Sequence, residues 1–197
     1  MSKPNLRLKV YGSRGSYSPT FGNVTTVGPN TTCLRVDLGE NIIIFDAGSG
    51  IINCGADLFK EMQSERASHS EWKMHLFFTH LHIDHIVGFP FFSMLYMPKT
   101  KIHFVGPKIL DYEVEDTLRT FMHPPFFPVS MEELPFRSEF YKITEGKIVY
   151  FYENDLVSNN YVDQLKTLSS LKDSGSLTEN EFRTFKGHLL KRVRPKA

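Results

Sequence analysis

The feature that most restricts what this chain can fold into is the run Thr79-His80-Leu81-His82-Ile83-Asp84-His85 at the end of an apolar stretch, residues 73–78. A short apolar run bounded by polar residues, here 64–70 on its N-terminal side, predicts a strand in the middle of a sheet. His80 and His82 are two apart just past that strand, so in extended backbone their side chains share a side. Asp84 and His85 follow in the turn toward the next helix, and four ligand types thus converge within six residues. Imidazole nitrogen and carboxylate oxygen suit zinc, and also iron or manganese, and two such clusters side by side can hold a metal pair bridged by hydroxide. Four unrelated polar residues in a loop would not account for this spacing.

Strand and helix alternate around that cluster. Residues 6–11 alternate apolar Leu6, Leu8 and Val10 with basic Arg7 and Lys9, the pattern of a half-buried strand, and run into the turn Gly12-Ser13-Arg14-Gly15-Ser16. Two more strands are predicted at 32–38 and 41–45 with Gly39-Glu40 as a tight hairpin, the second ending in Asp46-Ala47-Gly48-Ser49-Gly50 before a helix over 51–65. Residues 101–105 read as another buried strand, followed by a helix over 109–122 entered at Pro107 and stopped by Pro124-Pro125. Strands are predicted at 136–143 and 147–151, with Glu145-Gly146 as the turn between them.

From about residue 158 the pattern changes to two short amphipathic helices, with Leu165, Leu168 and Leu171 in the first and Phe182, Phe185, Leu189 and Leu190 in the second. Gly175 reads as the left-handed cap of the first. Thr178 with Glu181 forms a capping box, and Leu177 with Phe182 a hydrophobic staple, so the start of the second helix is closely specified. Such a hairpin cannot bury its leucine faces alone, which assigns it to association with the main domain or another copy.

Composition excludes more than it selects. With 197 residues the chain holds one main domain and a small appendage. Lys plus Arg (23) balance Asp plus Glu (22), so charge gives no indication of a nucleic-acid partner. Residues 1–7 carry no apolar signal core and no stretch approaches a membrane span, so the expected location is the cytoplasm. Cys33 and Cys54 lie far from any close-spaced pattern and are expected to be reduced and buried.

With these motifs in place, the sequence resembles the metallo-β-lactamase superfamily, whose signature is H-x-H-x-D-H after an apolar strand. Gly12-Ser13-Arg14-Gly15-Ser16, Asn30-Thr31-Thr32-Cys33, Phe45-Asp46-Ala47-Gly48-Ser49-Gly50, Gly88-Phe89-Pro90-Phe91-Phe92 and His123-Pro124-Pro125-Phe126-Phe127-Pro128 look like the branch containing ribonuclease Z and cyclic-nucleotide and other phosphodiesterases. That similarity covers about residues 6–155, and residues 157–191 are similar to the SHOCT (short C-terminal domain) module. The implied fold is α/β, the N-terminal part of an αββα sandwich (residues 1–155) followed by a short α-helical hairpin (157–192).

The resemblance implies that His80 and His82 bind a first metal and Asp84 and His85 a second, that Asp84 belongs to the catalytic residues, and that Asp46 braces the site by hydrogen bonds. One or two zinc ions are the implied cofactor, with manganese or iron as substitutes. A complete family site also needs a third histidine on the first metal, a bridging aspartate and a final histidine on the second. Those come from a C-terminal half of the fold that this chain is expected to lack. His103 and His123 are read as structural or surface histidines. His188 falls in the hairpin, and Glu153 or Asp155 fits the bridging aspartate only by forcing. The Gly12–Ser16 turn and Arg14 are likewise read as structural rather than as a phosphate cradle and a substrate clamp.

Two functions are consistent with this reading. One is a metal-dependent hydrolase, with hydroxide on a His/Asp-bound metal pair attacking a small-molecule or nucleotide phosphodiester or another ester. The alternative is a catalytically degenerate binding or assembly module that uses its SHOCT-like end to form a homo-oligomer, two copies covering each other's open sheet.

Overall fold

The computed structural model of the chain describes residues 6–18, 28–39, 41–64, 71–108, 111–143, 150–152, 155–157 and 159–193. Two compact units divide it, Met1–Thr144 and Glu145–Ala197. The first is a mixed α/β unit built on a six-stranded sheet. Its strands β1 (Leu6–Gly12), β2 (Cys33–Leu38), β3 (Asn41–Phe45), β4 (Trp72–Phe77), β5 (Thr100–Pro107) and β6 (Arg137–Ile143) lie side by side in chain order. The first two pairings are antiparallel and the remaining three parallel. A tight turn suffices between β2 and β3, where Leu38 faces Asn41 and Gly39 takes φ 60°. The parallel pairs need crossovers, supplied by helix α1 (Gly50–Ser64) between β3 and β4 and by helix α3 (Val114–Phe121) between β5 and β6. A single turn, α2 (Ile83–Ile86), starts just beyond β4.

Alternate residues of the strands build the core against the helices: Ile42 and Ile44 of β3, Trp72, Met74 and Leu76 of β4, and Ile102 and Phe104 of β5. Ile51, Cys54 and Leu58 of α1 and Leu118 of α3 close on them. Each such side chain, fully buried, stabilises the fold by about 1.5–3 kcal/mol. Cys33 and Cys54 are buried free thiols. The Cys33 thiol is pushed up by its hydrogen bond with Cys54, by burial and by Asp46, so it stays protonated.

Strand β1 lacks the expected half-burial, since Leu6 to Val10 are all exposed. Leu6, Leu8 and Val10 are 67%, 59% and 58% exposed, and the basic alternates, though exposed too (side chains of Arg7 60% and Lys9 52%), are the ones that reach carboxylates of α1. Arg7 pairs with Asp37 and Glu61, Lys9 with Asp57, and the Tyr11 hydroxyl donates to Asp57 at 2.9 Å. The helix presents carboxylates here rather than leucines, so charge decides which face of the strand it covers. Arg35 of β2 sits at the centre, 1% exposed, and donates to both oxygens of Glu61 (2.9 and 2.7 Å) and to Asp37 (2.8 Å).

Three other expectations shift. The helix expected over 109–122 begins at Val114: Pro107 is the last residue of β5, paired with Ile143, and Glu113 is the helix N-cap, with Glu115 and Asp116 in the first turn facing the helix dipole. Strand β6 adds to β5 in parallel, and among the described residues it has no hairpin partner. The next strand, β7 (Tyr150–Tyr152), pairs instead with β8 (Asp155–Val157), in the second unit. Residues 65–70, Glu40 and the turn Glu145-Gly146 lie outside the described residues.

The second unit also holds helices α4 (Asn159–Asp173) and α5 (Glu179–Val193), which pack on one another. Gly175 takes φ 75° between them. The capping box forms: Glu181 accepts from Thr178 N and Oγ1, at 2.9 and 2.7 Å, while Thr178 Oγ1 accepts from Glu181 N at 3.3 Å. Among the described residues no helix is long and apolar enough to cross a membrane.

Candidate metal centre

The centre forms where β3 and β4 end side by side. Asp46 follows β3 at φ 61°, a left-handed conformation that aspartate tolerates better than most residues, and its N–H donates to Phe77 O at 2.7 Å. The side chain is 1% exposed and fully used. Thr79 N donates to Oδ1 at 2.8 Å, Thr79 Oγ1 lies 3.0 and 2.9 Å from the two oxygens, and His85 Nδ1 lies 2.9 Å from Oδ2. A carboxylate on Nδ1 fixes the histidine tautomer and leaves Nε2 free as a ligand.

Beyond β4 the chain bends at Thr79, Leu81 packs on the core, and the extended His82 (φ −66°, ψ 154°) caps α2. That turn carries Asp84 and His85, and its position is locked by backbone contacts. Ala47 N donates to His85 O at 2.7 Å and Gly88 N to Ala47 O at 2.9 Å. Gly48 lies so close that a Cβ there would meet Asp84 O at 2.5 Å.

The four residues form one cluster, with the His80 and His85 rings 4.0 Å apart between centroids, and within it the donor atoms make two close contacts. His80 Nε2 lies 3.1 Å from His82 Nδ1, and Asp84 Oδ2 lies 3.4 Å from His85 Nε2. Two ligands on one tetrahedral zinc, each at ~2.1 Å, are about 3.4 Å apart, so both pairs match a shared cation. The hydrogen bonds favour the same outcome. With the Thr79 hydroxyl donating to Asp46, His80 Nδ1 at 3.1 Å donates to Thr79 and keeps Nε2 bare, facing another imidazole nitrogen that demands a proton or a cation between them. Burial, then repulsion from His85 and His82, holds the His80 imidazolium below its ordinary range, so the ring is neutral near pH 7. The Asp84 carboxyl is held low chiefly by the N–H of Ser16, which donates to Oδ2 at 2.8 Å.

The residues present therefore suit a divalent metal, two donors to each position. Among the described residues no group of three or more His, Cys, Asp or Glu is arranged to hold an ion. His103 lies elsewhere in the sheet, 1% exposed, with Nδ1 3.1 Å from His75 Nδ1 and Nε2 3.2 Å from Glu139 Oε2. His123 Nδ1 faces Pro124 O at 2.8 Å on the surface. Glu153 and the side chains of Asp155 and His188 lie outside what the structure describes. Arg14 Nε donates to Gly28 O at 3.1 Å, a structural bond.

Two contributors had no assigned role in the sequence. Thr79 stands directly before His80, and its adjacency to the motif was the available signal. Ser16, far away in sequence, had none beyond its place in a glycine-rich turn.

No family model and no curated protein matches the chain. Among solved structures it is similar to a diphosphatase from the PhnP family (TM-score 0.46, 17% identity, 75% of this chain and 54% of that one). It is similar also to the short form of human tRNase Z (TM-score 0.42, 21% identity, 70% and 46%) and to the metallo-β-lactamase fold protein YhfI from Bacillus subtilis (0.41, 12%, 83% and 68%). The chain thus spans about half the length of the first two, 54% and 46%.

Proposed function

We propose that the chain is a metal-dependent hydrolase of phosphodiesters, binding one or two divalent ions, zinc foremost and manganese or iron as substitutes, through His80, His82, Asp84 and His85. The observation that supports this is the pairing of donors at 3.1 and 3.4 Å, with Asp46 and Thr79 behind them. When bound, such an ion acts as a Lewis acid toward a water and toward phosphoryl oxygens. The chain's own part is orientation: Asp46 holds His85 Nδ1 and Thr79 backs His80, so both rings present Nε2. Asp84, whose Oδ2 lies 3.4 Å from His85 Nε2, is the residue assigned to hold a cation and to handle a proton. The buried free thiols Cys33 and Cys54 favour a reducing compartment, the cytoplasm, as the setting.

A site with two protein donors per ion holds it loosely, so turnover is expected to be slow. Purified protein should contain transition metal by mass spectrometry and hydrolyse bis(p-nitrophenyl) phosphate slowly, with EDTA abolishing the reaction. Protein that neither takes up zinc nor cleaves the diester would overturn the proposal.

One observation favours a second reading, an assembly module that has lost catalysis. The exposed stripe Leu6, Leu8 and Val10 lies on an edge strand, and apolar patches there are seldom left bare. We expect a homo-oligomer through this face, with the SHOCT-like hairpin of α4 and α5 contributing. Sedimentation should show a dimer or larger species for the full chain and a monomer for Leu6→Lys/Leu8→Lys. A monomeric wild type would remove the basis for it.

A further inference from the structure

We propose that Ser16 is a positioning residue for Asp84, its backbone N–H setting the carboxylate for a divalent cation shared with His85. The inference rests on the metal-binding reading above and extends it to a residue 68 positions away in sequence, whose N–H reaches Asp84 Oδ2 at 2.8 Å.

The backbone around Ser16 is costly to form. Ser16 has φ 67°, and Tyr17 N donates to Gly15 O at 2.9 Å, so Gly15-Ser16-Tyr17 closes a three-residue turn on a positive φ, a rare and strained form. An L-residue adopts it only where surrounding structure over-determines it, and such strain tends to persist where it serves a site.

The surroundings do over-determine it. Asn30 O accepts from Ser13 N and Arg14 N at 3.2 and 3.0 Å, Thr32 Oγ1 donates to Arg14 O at 3.3 Å, and Arg14 bridges to Thr31. Thr31 is tied in turn to Ser49 at the start of α1, N to Oγ at 2.9 Å and Oγ1 from Ser49 N at 2.8 Å. The turn is therefore fastened to the same β3–α1 junction that locks α2. The N–H of its central residue, Ser16, is left to donate to the one Asp84 oxygen that also lies 3.4 Å from His85 Nε2. With Ser16 N–H and His85 both within reach of that oxygen, the carboxylate is held close to His85 Nε2. Without the Ser16 N–H only the bond to its own backbone restrains it.

Zinc alone, titrated into the whole protein, tests this. Asp84→Ala identifies the zinc equivalent that depends on the carboxylate. An amide-to-ester replacement at Ser16 removes the N–H and also weakens the Gly15 carbonyl as acceptor for Tyr17 N, so the same replacement at Tyr17, which removes that turn bond alone, is its control. The Ser16 ester should weaken that same zinc equivalent by about tenfold or more, the Tyr17 ester should not, and both should leave the His80/His82 equivalent unchanged as an internal check of folding. Ser16→Gly keeps the N–H and should bind as wild type does, with a raised melting temperature. A purely structural turn would lower the melting temperature of the Ser16 ester protein without changing either zinc affinity, and that result overturns the proposal. Loss of the Asp84-dependent zinc in Ser16→Gly overturns it as well. Wild-type protein that takes up no zinc overturns both this inference and the metal reading on which it rests.

Discussion

His80→Ala/His82→Ala protein is expected to lose one class of bound zinc outright while Asp84→Ala/His85→Ala loses the other, because the donors are paired 80 with 82 and 84 with 85. Disturbing groups behind a ligand commonly weakens metal binding about 10–100-fold, so deleting both ligands of a two-donor position should exceed a hundredfold. Asp46→Asn is the intermediate case. It leaves the four donors in place but removes the carboxylate that faces His85 Nδ1 at 2.9 Å, and a loss within the 10–100-fold range is expected. Acid should mimic the first variant. His80 is held below the ordinary imidazole pKa by burial and by its histidine neighbours, so between that lowered value and about 6.5 the unfolded chain binds a proton that the folded chain does not. Stability of the metal-free protein should therefore fall as pH drops through about 6.5, and zinc should be released below that, once His80 itself is protonated. Calorimetric titration with zinc at neutral and mildly acidic pH reads all of this. Equal zinc uptake by wild type and both double variants would show that the donors bind nothing.

Arg35→Leu should be the most damaging single substitution for stability. The guanidinium is 1% exposed, bonded to both oxygens of Glu61 and to Asp37, while Arg7 reaches the same two carboxylates from the strand edge. Burial alone would lower its pKa, yet the bonds to Glu61 and Asp37 leave it above its ordinary value, so it is charged throughout the folded range. Removing one member of a buried ion pair costs about 3–5 kcal/mol, because the carboxylates left behind lose their buried partner, here keeping only the exposed Arg7. The Asp37 and Glu61 side chains keep 14% and 32% exposure, so water recovers some of that loss and the low end, about 3 kcal/mol, is expected. At about 2–4 °C per kcal/mol for a domain of this size, the melting temperature should fall by roughly 6–12 °C. Arg35→Lys should recover little, since an ammonium cannot bind two oxygens of Glu61 in parallel and Asp37 as well. Leu8→Ala, on the exposed face of the neighbouring strand, should change little. A melting temperature within 2 °C or so of wild type for Arg35→Leu would mean that the network contributes specificity rather than stability.

Local signals in the chain determined a good deal. The spacing of His80, His82, Asp84 and His85 after an apolar run was enough to expect converging donors, since strand alternation and a following turn are short-range geometry. Gly39, Gly175 and the Thr178/Glu181 box likewise marked turns and a helix start, because these are settled within a few residues of backbone. What lay beyond reach depended on partners distant in sequence. The alternation of β1 showed that it has two faces, but which one meets α1 was decided by Asp57 and Glu61 of the helix, which pair with the still exposed Arg7 and Lys9 and leave the apolar alternates in solvent. The pattern of β6 showed a strand but not a partner, and parallel pairing with β5 follows only from the crossover through α3. Ser16 is the same case at the site. Its N–H reaches Asp84 only after two chain segments 68 residues apart have been fastened to one strand-to-helix junction, and such hydrogen bonds between distant backbone and side chain leave no periodicity in the sequence for a reader to find.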